Sequence, residues 1–210
     1  MINAVSGIEQ FLDKNKNVIW GILAAIVIIA GAGYLYYKFA FLPKKAEALE
    51  QMCKAESAFR DGNYDIALNG DGNILGFNEI ISEYGAKAGK AVYFYAAICE
   101  MQAGNADEAL GLLSKYSTSD GIMAGRAKAL KGDALCAKEE YGKAASAYMD
   151  AAKASDNVFS ATYLLKAGQA FEAVGAADKA LAAYKEIKDK YPQSIEGLEV
   201  EKNITRLEVE

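Results

Sequence analysis

The feature that most restricts how this chain can fold is an internal repeat. Ala97, Gly132 and Gly168 stand 35 and 36 residues apart, and the residues around them fall into one register. Downstream follow Ala109, Ala144 and Ala180, and then Leu113, Tyr148 and Tyr184; Gly104, Glu139 and Gly175 lie between. A fixed period in the mid-thirties belongs to stacked two-helix units, each of which buries its apolar face only against its neighbours. Such arrays offer extended surfaces for binding rather than enclosed sites for reaction.

The clearest unit reads as a helix over 127–137, a turn at 138–140 and a second helix over 141–153. Gly132 is small where the next helix crosses it, and Tyr141 and Tyr148 fill the space between the two. The following unit repeats this with Gly168, Gly175, Ala180 and Tyr184, and Pro192 stops its second helix. The first unit is degenerate. Ala55, Gly62, Tyr64 and Ala67 fit, but Gly62 and Gly104 are 42 residues apart. The extra residues lie in NGDGNILG at 69–76, so the second helix should break there and resume from Phe77 to Tyr84. Asn69, Asp71 and Asn73 alternate like the opening ligands of a calcium loop. The sixth position is Ile74 rather than glycine and the twelfth is Ile80 rather than glutamate, so the closing carboxylate is missing. The pattern predicts instead a glycine-permitted helix break whose Asn and Asp side chains satisfy freed backbone groups.

Ahead of the repeats, residues 18–37 read VIWGILAAIVIIAGAGYLYY, twenty residues without a charge. As a helix this covers about 30 Å, the thickness of a hydrocarbon core. Trp20 stands near one end and Tyr34, Tyr36 and Tyr37 near the other, where aromatic side chains favour bilayer interfaces. Gly21 and Ala25 form a small-xxx-small pair suited to helix contact in lipid. Ala30, Gly31 and Ala32 would suit a signal peptidase, yet the apolar run continues past them, which favours an uncleaved anchor. Lys14 and Lys16 precede the span and Lys38, Lys44 and Lys45 follow it, so charge leaves its orientation open. Pro43 is the expected break before the repeat domain. Beyond Pro192, Ser194 can cap a last helix carrying Ile195, Leu198, Ile204 and Leu207 on one face.

Composition narrows the chemistry. The chain has no histidine, which removes imidazole acid–base catalysis, His-activated nucleophiles and His-bearing metal sites. Its formal charge is −5, and residues 44–210 carry 20 Lys and Arg against 26 Asp and Glu. Phosphate backbones need a cationic footprint, so no nucleic-acid partner is expected. Cys53, Cys99 and Cys136 are 46 and 37 residues apart, unlike any zinc or redox spacing, and read as small apolar residues in helices. A Cys99–Cys136 bridge between adjacent repeats stays open. No catalytic residue, metal or cofactor is expected.

The Gly/Ala, Tyr, Ala, Tyr, Ala, Pro pattern, met best by residues 125–156 and 161–192, resembles the tetratricopeptide repeat family. The resemblance implies an all-α chain: a transmembrane helix at 18–37, an α-α superhelix of about four hairpins over 46–192, and a capping helix over 193–210. A short segment, 1–17, precedes the span and a juxtamembrane linker, 38–45, follows it. Segments ALNGDGN, EYGAKAGKA, YLLKAGQAFE and IKDKYPQS, with this architecture, are similar to the YfgM-type ancillary subunits of the bacterial Sec translocon, in their Bacteroidetes-type version. That similarity implies a single-pass inner-membrane protein with its N-terminus cytoplasmic and its repeats in the periplasm. The implied partners are SecY-type translocon subunits, a membrane-bound prolyl-isomerase chaperone and unfolded envelope clients. A structural scaffold for another envelope complex is the alternative.

In tetratricopeptide arrays the first helix of each hairpin lines the concave face. Carried onto this register, the lining is Leu49, Met52, Glu56 and Phe59, then Ala91, Phe94, Ile98 and Met101. It continues with Arg126, Ala129, Asp133 and Cys136, and ends with Thr162, Leu165, Gln169 and Glu172. Leu49, Met52, Phe59, Phe94, Ile98 and Met101 make one half apolar; Arg126, Asp133, Gln169 and Glu172 make the other polar. The carboxylate-clamp variety needs Lys and Asn where Met52 and Glu56 stand, Asn at Tyr95, and Lys and Arg where Arg126 and Leu130 stand. Only Arg126 conforms, so a chaperone C-terminal carboxylate is not the expected ligand.

Overall fold

The computed structural model describes residues 14–209. Among these residues the regular structure is helical throughout, with no strand. The chain separates into two compact units, one ending at Leu49 and the other running from Glu50.

In the N-terminal unit, α1 spans Lys16–Tyr36, and its side chains are almost all exposed. This stretch is long and apolar enough to cross a membrane. The N-terminal segment expected over 1–17 lies mostly outside the described residues. The break expected at Pro43 does not occur. Helical conformation passes from α1 into one π turn, Tyr37–Phe41, and then directly into α2, Leu42–Arg60. Pro43 has no N–H to donate, and its ring crowds the carbonyl one turn back. A π turn just before it widens the helix locally, so the proline is accommodated rather than obeyed as a stop. Residues 38–45 are therefore helical rather than a linker.

The second unit is built from paired helices. After α2 come α3 (Tyr64–Asn69), α4 (Phe77–Tyr84) and a short 3-10 turn, Gly85–Ala88. Then follow the hairpins α5 (Ala91–Gln102) with α6 (Ala106–Lys115), α7 (Gly121–Ala137) with α8 (Tyr141–Ala154), and α9 (Ser160–Ala173) with α10 (Ala177–Lys190). Helix α7 starts six residues earlier than the sequence reading placed it. Asp120 caps it, its Oδ1 accepting from the Met123 amide at 2.8 Å.

The turns inside the hairpins are one motif repeated four times. The amide of Gly62 donates to Phe59 and that of Asn63 to Ala58; Gly104 and Asn105 do likewise to Met101 and Glu100. Glu139 and Glu140 pair with Cys136 and Leu135, and Gly175 and Ala176 with Glu172 and Phe171. This is a Schellman closure, which needs a left-handed residue just past the helix. Gly62, Gly104 and Gly175 supply it with φ of 79°, 83° and 70°. Glu139 adopts φ 60° at the same position, without glycine's freedom.

Between helices of a hairpin the repeat fixes a pair sixteen residues apart. A Cβ on Gly132 would meet the Tyr148 ring, and one on Gly168 would meet the Tyr184 ring, at distances no real Cβ shows. The rings therefore press directly against bare backbone. Where the small residue is Ala97 instead, Leu113 replaces the ring. Around these pairs the core is largely alanine: Ala129, Ala144, Ala147, Ala151 and Ala167 pack with Tyr148 and Tyr163, and Ala161 and Ala180 with Leu164, Tyr184 and Ile187. Small side chains let helices approach closely, and aromatics fill what remains.

Residues 70–76 separate α3 from α4. Asp71 Oδ1 accepts from the amides of Asn73 and Ile74 at 2.8 and 3.0 Å, and these two bonds hold its carboxyl below the usual range. Glu79 reaches back to the Gly76 amide at 3.0 Å. Gly76 itself lies against the backbone of Leu68, Asn69 and Gly70, where no side chain fits. The loop is closed by its own groups.

The C-terminal cap departs from expectation. It is two helices, α11 (Ile195–Glu199) and α12 (Glu201–Val209), divided at Val200. Ser194 caps α11 by accepting from the Gly197 amide at 2.9 Å. The division turns the two halves to different sides: Val200 and Ile204 are buried, while Ile195 (76% exposed) and Leu198 (75%) face outward.

Candidate functional site

The first helices of the hairpins bring the sequence-derived lining residues to two different fates. Met52 (3% exposed) and Phe94 (5%) belong to the core rather than to an open surface. For Phe94 the reason is aromatic packing around the degenerate first repeat. Phe59 meets Tyr95 edge-on at 5.2 Å between ring centres, Phe77 stacks on Tyr95 at 5.6 Å, and Phe94 lies 5.2 Å from Tyr116. Phe77 enters from α4, the helix that follows residues 70–76, and is fully buried against Phe59 and Tyr95. Phe59, Ile98 and Met101 are half-buried. Leu49 is exposed at 48% but belongs to the N-terminal unit.

The polar positions divide similarly. Arg126 and Gln169 are exposed. Asp133 and Glu172 are engaged within the protein. Asp133 Oδ1 accepts from the Tyr148 hydroxyl and from Lys166 Nζ, both at 2.7 Å, and the Lys166 ammonium also stands 5.5 Å from the Tyr148 ring centre. Glu172 accepts from the Tyr184 hydroxyl at 2.5 Å and from Arg206 at 2.6 Å. Each carboxylate thus clamps the tyrosine of its own hairpin and a cation from the next element. Burial first, and the carboxylate bond second, push both phenols well above their ordinary range, so neither ionises near neutrality.

Two further tyrosines lie on the first helices, Tyr95 at a position the sequence named only for the carboxylate clamp and Tyr163, which it did not single out and which is buried. Tyr95 and Tyr163 have raised phenols, chiefly from burial; Glu56 and Arg126 act on the first, Arg126 and Asp133 on the second. Arg126 thus acts electrostatically on tyrosines of both the preceding and the following hairpin. Tyr163 and Lys166 were legible in principle, since they stand 36 residues after Ala127 and Leu130. Chemically this strip can hydrogen-bond, stack and pair charges, but it offers no activated nucleophile.

The cysteines are free thiols: Cys53 exposed, Cys136 partly covered, Cys99 buried and pushed up to about 12 by burial first and Glu100 second. Among the described residues no three His, Cys, Asp or Glu side chains gather as metal ligands. In α1, Trp20, Gly21, Ala25, Tyr34 and Tyr36 are exposed, as is Tyr37 at the π turn. Lys38 folds its ammonium over the Tyr34 and Phe39 rings at 5.9 and 5.7 Å.

No protein-family model matches the chain, and no curated protein matches it. Solved structures do. The crystal structure of MamA is similar at a TM-score of 0.55 and 19% identity, covering 74% of this chain and 94% of that one. A second crystal structure of MamA protein aligns at a TM-score of 0.56 and 18% identity, covering 79% and 88%. The fold is of the tetratricopeptide type. At such identity the likeness speaks for the helical-repeat architecture alone, and the helix pairs, Schellman turns and Gly–Tyr contacts above supply its physical basis.

Proposed function

We propose that this protein is a membrane-tethered protein-interaction module: α1 and the π turn hold it in a bilayer while the tetratricopeptide-type unit binds polypeptides. The single observation that carries this reading is an almost wholly exposed apolar helix ahead of a repeat array whose first helices leave Arg126 and Gln169 exposed. Twenty apolar residues left exposed to water would be a large liability, and lipid removes it. Tethering confines the array to a membrane surface and raises its local concentration, so weak contacts suffice.

The finer reading places the module in the inner membrane beside a Sec-type translocon, with its N-terminus cytoplasmic and its repeats periplasmic, holding envelope proteins as they emerge. The segments similar to YfgM-type subunits support it, as does the acidic surface, which would not trap nucleic acid. No bond is made or broken. The protein solubilised in mild detergent is expected to co-purify with SecY-type subunits or a membrane-bound prolyl-isomerase chaperone. Recovery of neither, with one other stoichiometric partner instead, would point to a scaffold role. A reporter fused after Glu210 should be active only on the periplasmic side.

A further inference from the structure

We propose a second binding site, remote from the first-helix face: the cleft between the α8–α9 loop and the start of α11, which takes an extended polypeptide segment whose apolar side chains are flanked by Lys or Arg. The inference rests on the module reading above and gives it a specificity.

The cleft encloses about 850 Å³, within the range that holds a small ligand or a few side chains. Val158 (81% exposed), Phe159 (43%) and Ile195 form its apolar wall. In the 36-residue register of the repeats Val158 and Phe159 follow Ile122 and Met123, so an apolar pair recurs at the start of this hairpin. Val158 and Phe159 are left largely uncovered, although the Phe159 ring also stacks on Tyr163 at 6.4 Å between centres.

Nor is the cleft a slack loop. Asn157 Oδ1 accepts from the Phe159 amide at 2.8 Å, its Nδ2 donates to the Ser155 carbonyl at 2.7 Å, and Ser160 Oγ donates to the same carbonyl at 3.1 Å. Across the cleft, the Tyr191 hydroxyl donates to Asp156 Oδ1 at 2.7 Å, and Thr162 Oγ1 donates to Glu196 Oε1 at 2.6 Å. Gly197 lies hard against the Tyr191 carbonyl, where no side chain fits. Walls fastened in advance lower the ordering cost of binding.

Charge selects the occupant. The rim carboxylates are Asp156 and Glu196, each keeping oxygen capacity beyond its single protein donor. The one lining cation, Lys190, is neutralised by Glu186 at 2.7 Å. An anionic lipid headgroup or an acidic peptide meets repulsion here; a basic-flanked apolar segment meets complementarity.

The full-length protein in detergent is titrated into fluorescein-labelled KKLFLFKK, EELFLFEE and KKSGSGKK, and anisotropy is read. The expected result is at least ten-fold tighter binding of the first peptide than of the other two. V158S/F159S should weaken it at least ten-fold with an unchanged helical circular dichroism spectrum, since both side chains are exposed. D156N/E196Q, which keeps acceptors for both hydroxyls, should abolish the preference for basic over acidic flanks. Equal binding of all three peptides, or no binding of KKLFLFKK, overturns the proposal. So does binding that survives V158S/F159S but is lost in R126A; that outcome moves the client to the first-helix face and leaves the module reading standing.

Discussion

At the scale of single residues, the Gly–Tyr pairs and the left-handed turns make the sharpest demands. Gly168→Ala forces a methyl into the Tyr184 ring and should cost about 1–3 kcal/mol, the range for overpacking a filled interior. The double variant Gly168→Ala/Tyr184→Leu recreates the Ala97–Leu113 pair and should recover part of that loss in urea denaturation. Glu139→Gly should act in the opposite sense, raising stability by about 1 kcal/mol, because a side chain is removed from a left-handed position. Thiol reactivity follows exposure: a maleimide at neutral pH should label Cys53 first, and Cys99 only on unfolding. The period showed which positions must be small, but not that Glu139 would share the glycine conformation. A glutamate carries no such signal; only its place in the register does.

At the scale of elements, the hairpins are held by buried tyrosines whose hydroxyls reach a carboxylate one helix away, and this sets a pH dependence. The folded phenols of Tyr148 and Tyr184 lie above their unfolded value of about 10, so the stability they contribute is complete below that pH. As pH rises past it, the unfolded chain sheds protons that the folded chain keeps, and stability falls. Cys99 adds to the decline between its ordinary value and about 12. The urea midpoint should therefore be lower at pH 11 than at pH 8, and the Tyr148→Phe/Tyr184→Phe variant should show a smaller drop, though a lower starting point. Helix existence was legible in the sequence because period and turn residues agreed. What the reading missed were places where one element yields to another: Pro43 absorbed by a π turn, the cap divided at Val200, and Phe77 carried inward to stack on Tyr95. Each depends on packing from residues far along the chain, which no local pattern carries.

At the scale of the whole molecule, the proposed function assigns membrane residence to the N-terminal unit and recognition to the second. The protein should remain in membranes through an alkaline carbonate wash, and Ile28→Lys should release a substantial fraction, since a charge at the centre of a span costs about 2.5–3.5 kcal/mol. The lining residues were legible as positions on first helices but not as open or closed. Asp133 and Glu172 look available in sequence and prove to be spent on Tyr148, Lys166, Tyr184 and Arg206. The fastening is uneven along the array. Rings on glycine hold the last two hairpins internally, whereas α12 is clasped by ion pairs, Lys185 with Glu208, Lys188 with Glu201 and Arg206 with Glu172, around Ile204. A mechanical load applied at the C-terminus would therefore meet its weakest link first. The array should yield in an optical trap as a staircase, with an early, salt-softened step for the terminal clasp and taller steps for each ring-locked hairpin behind it.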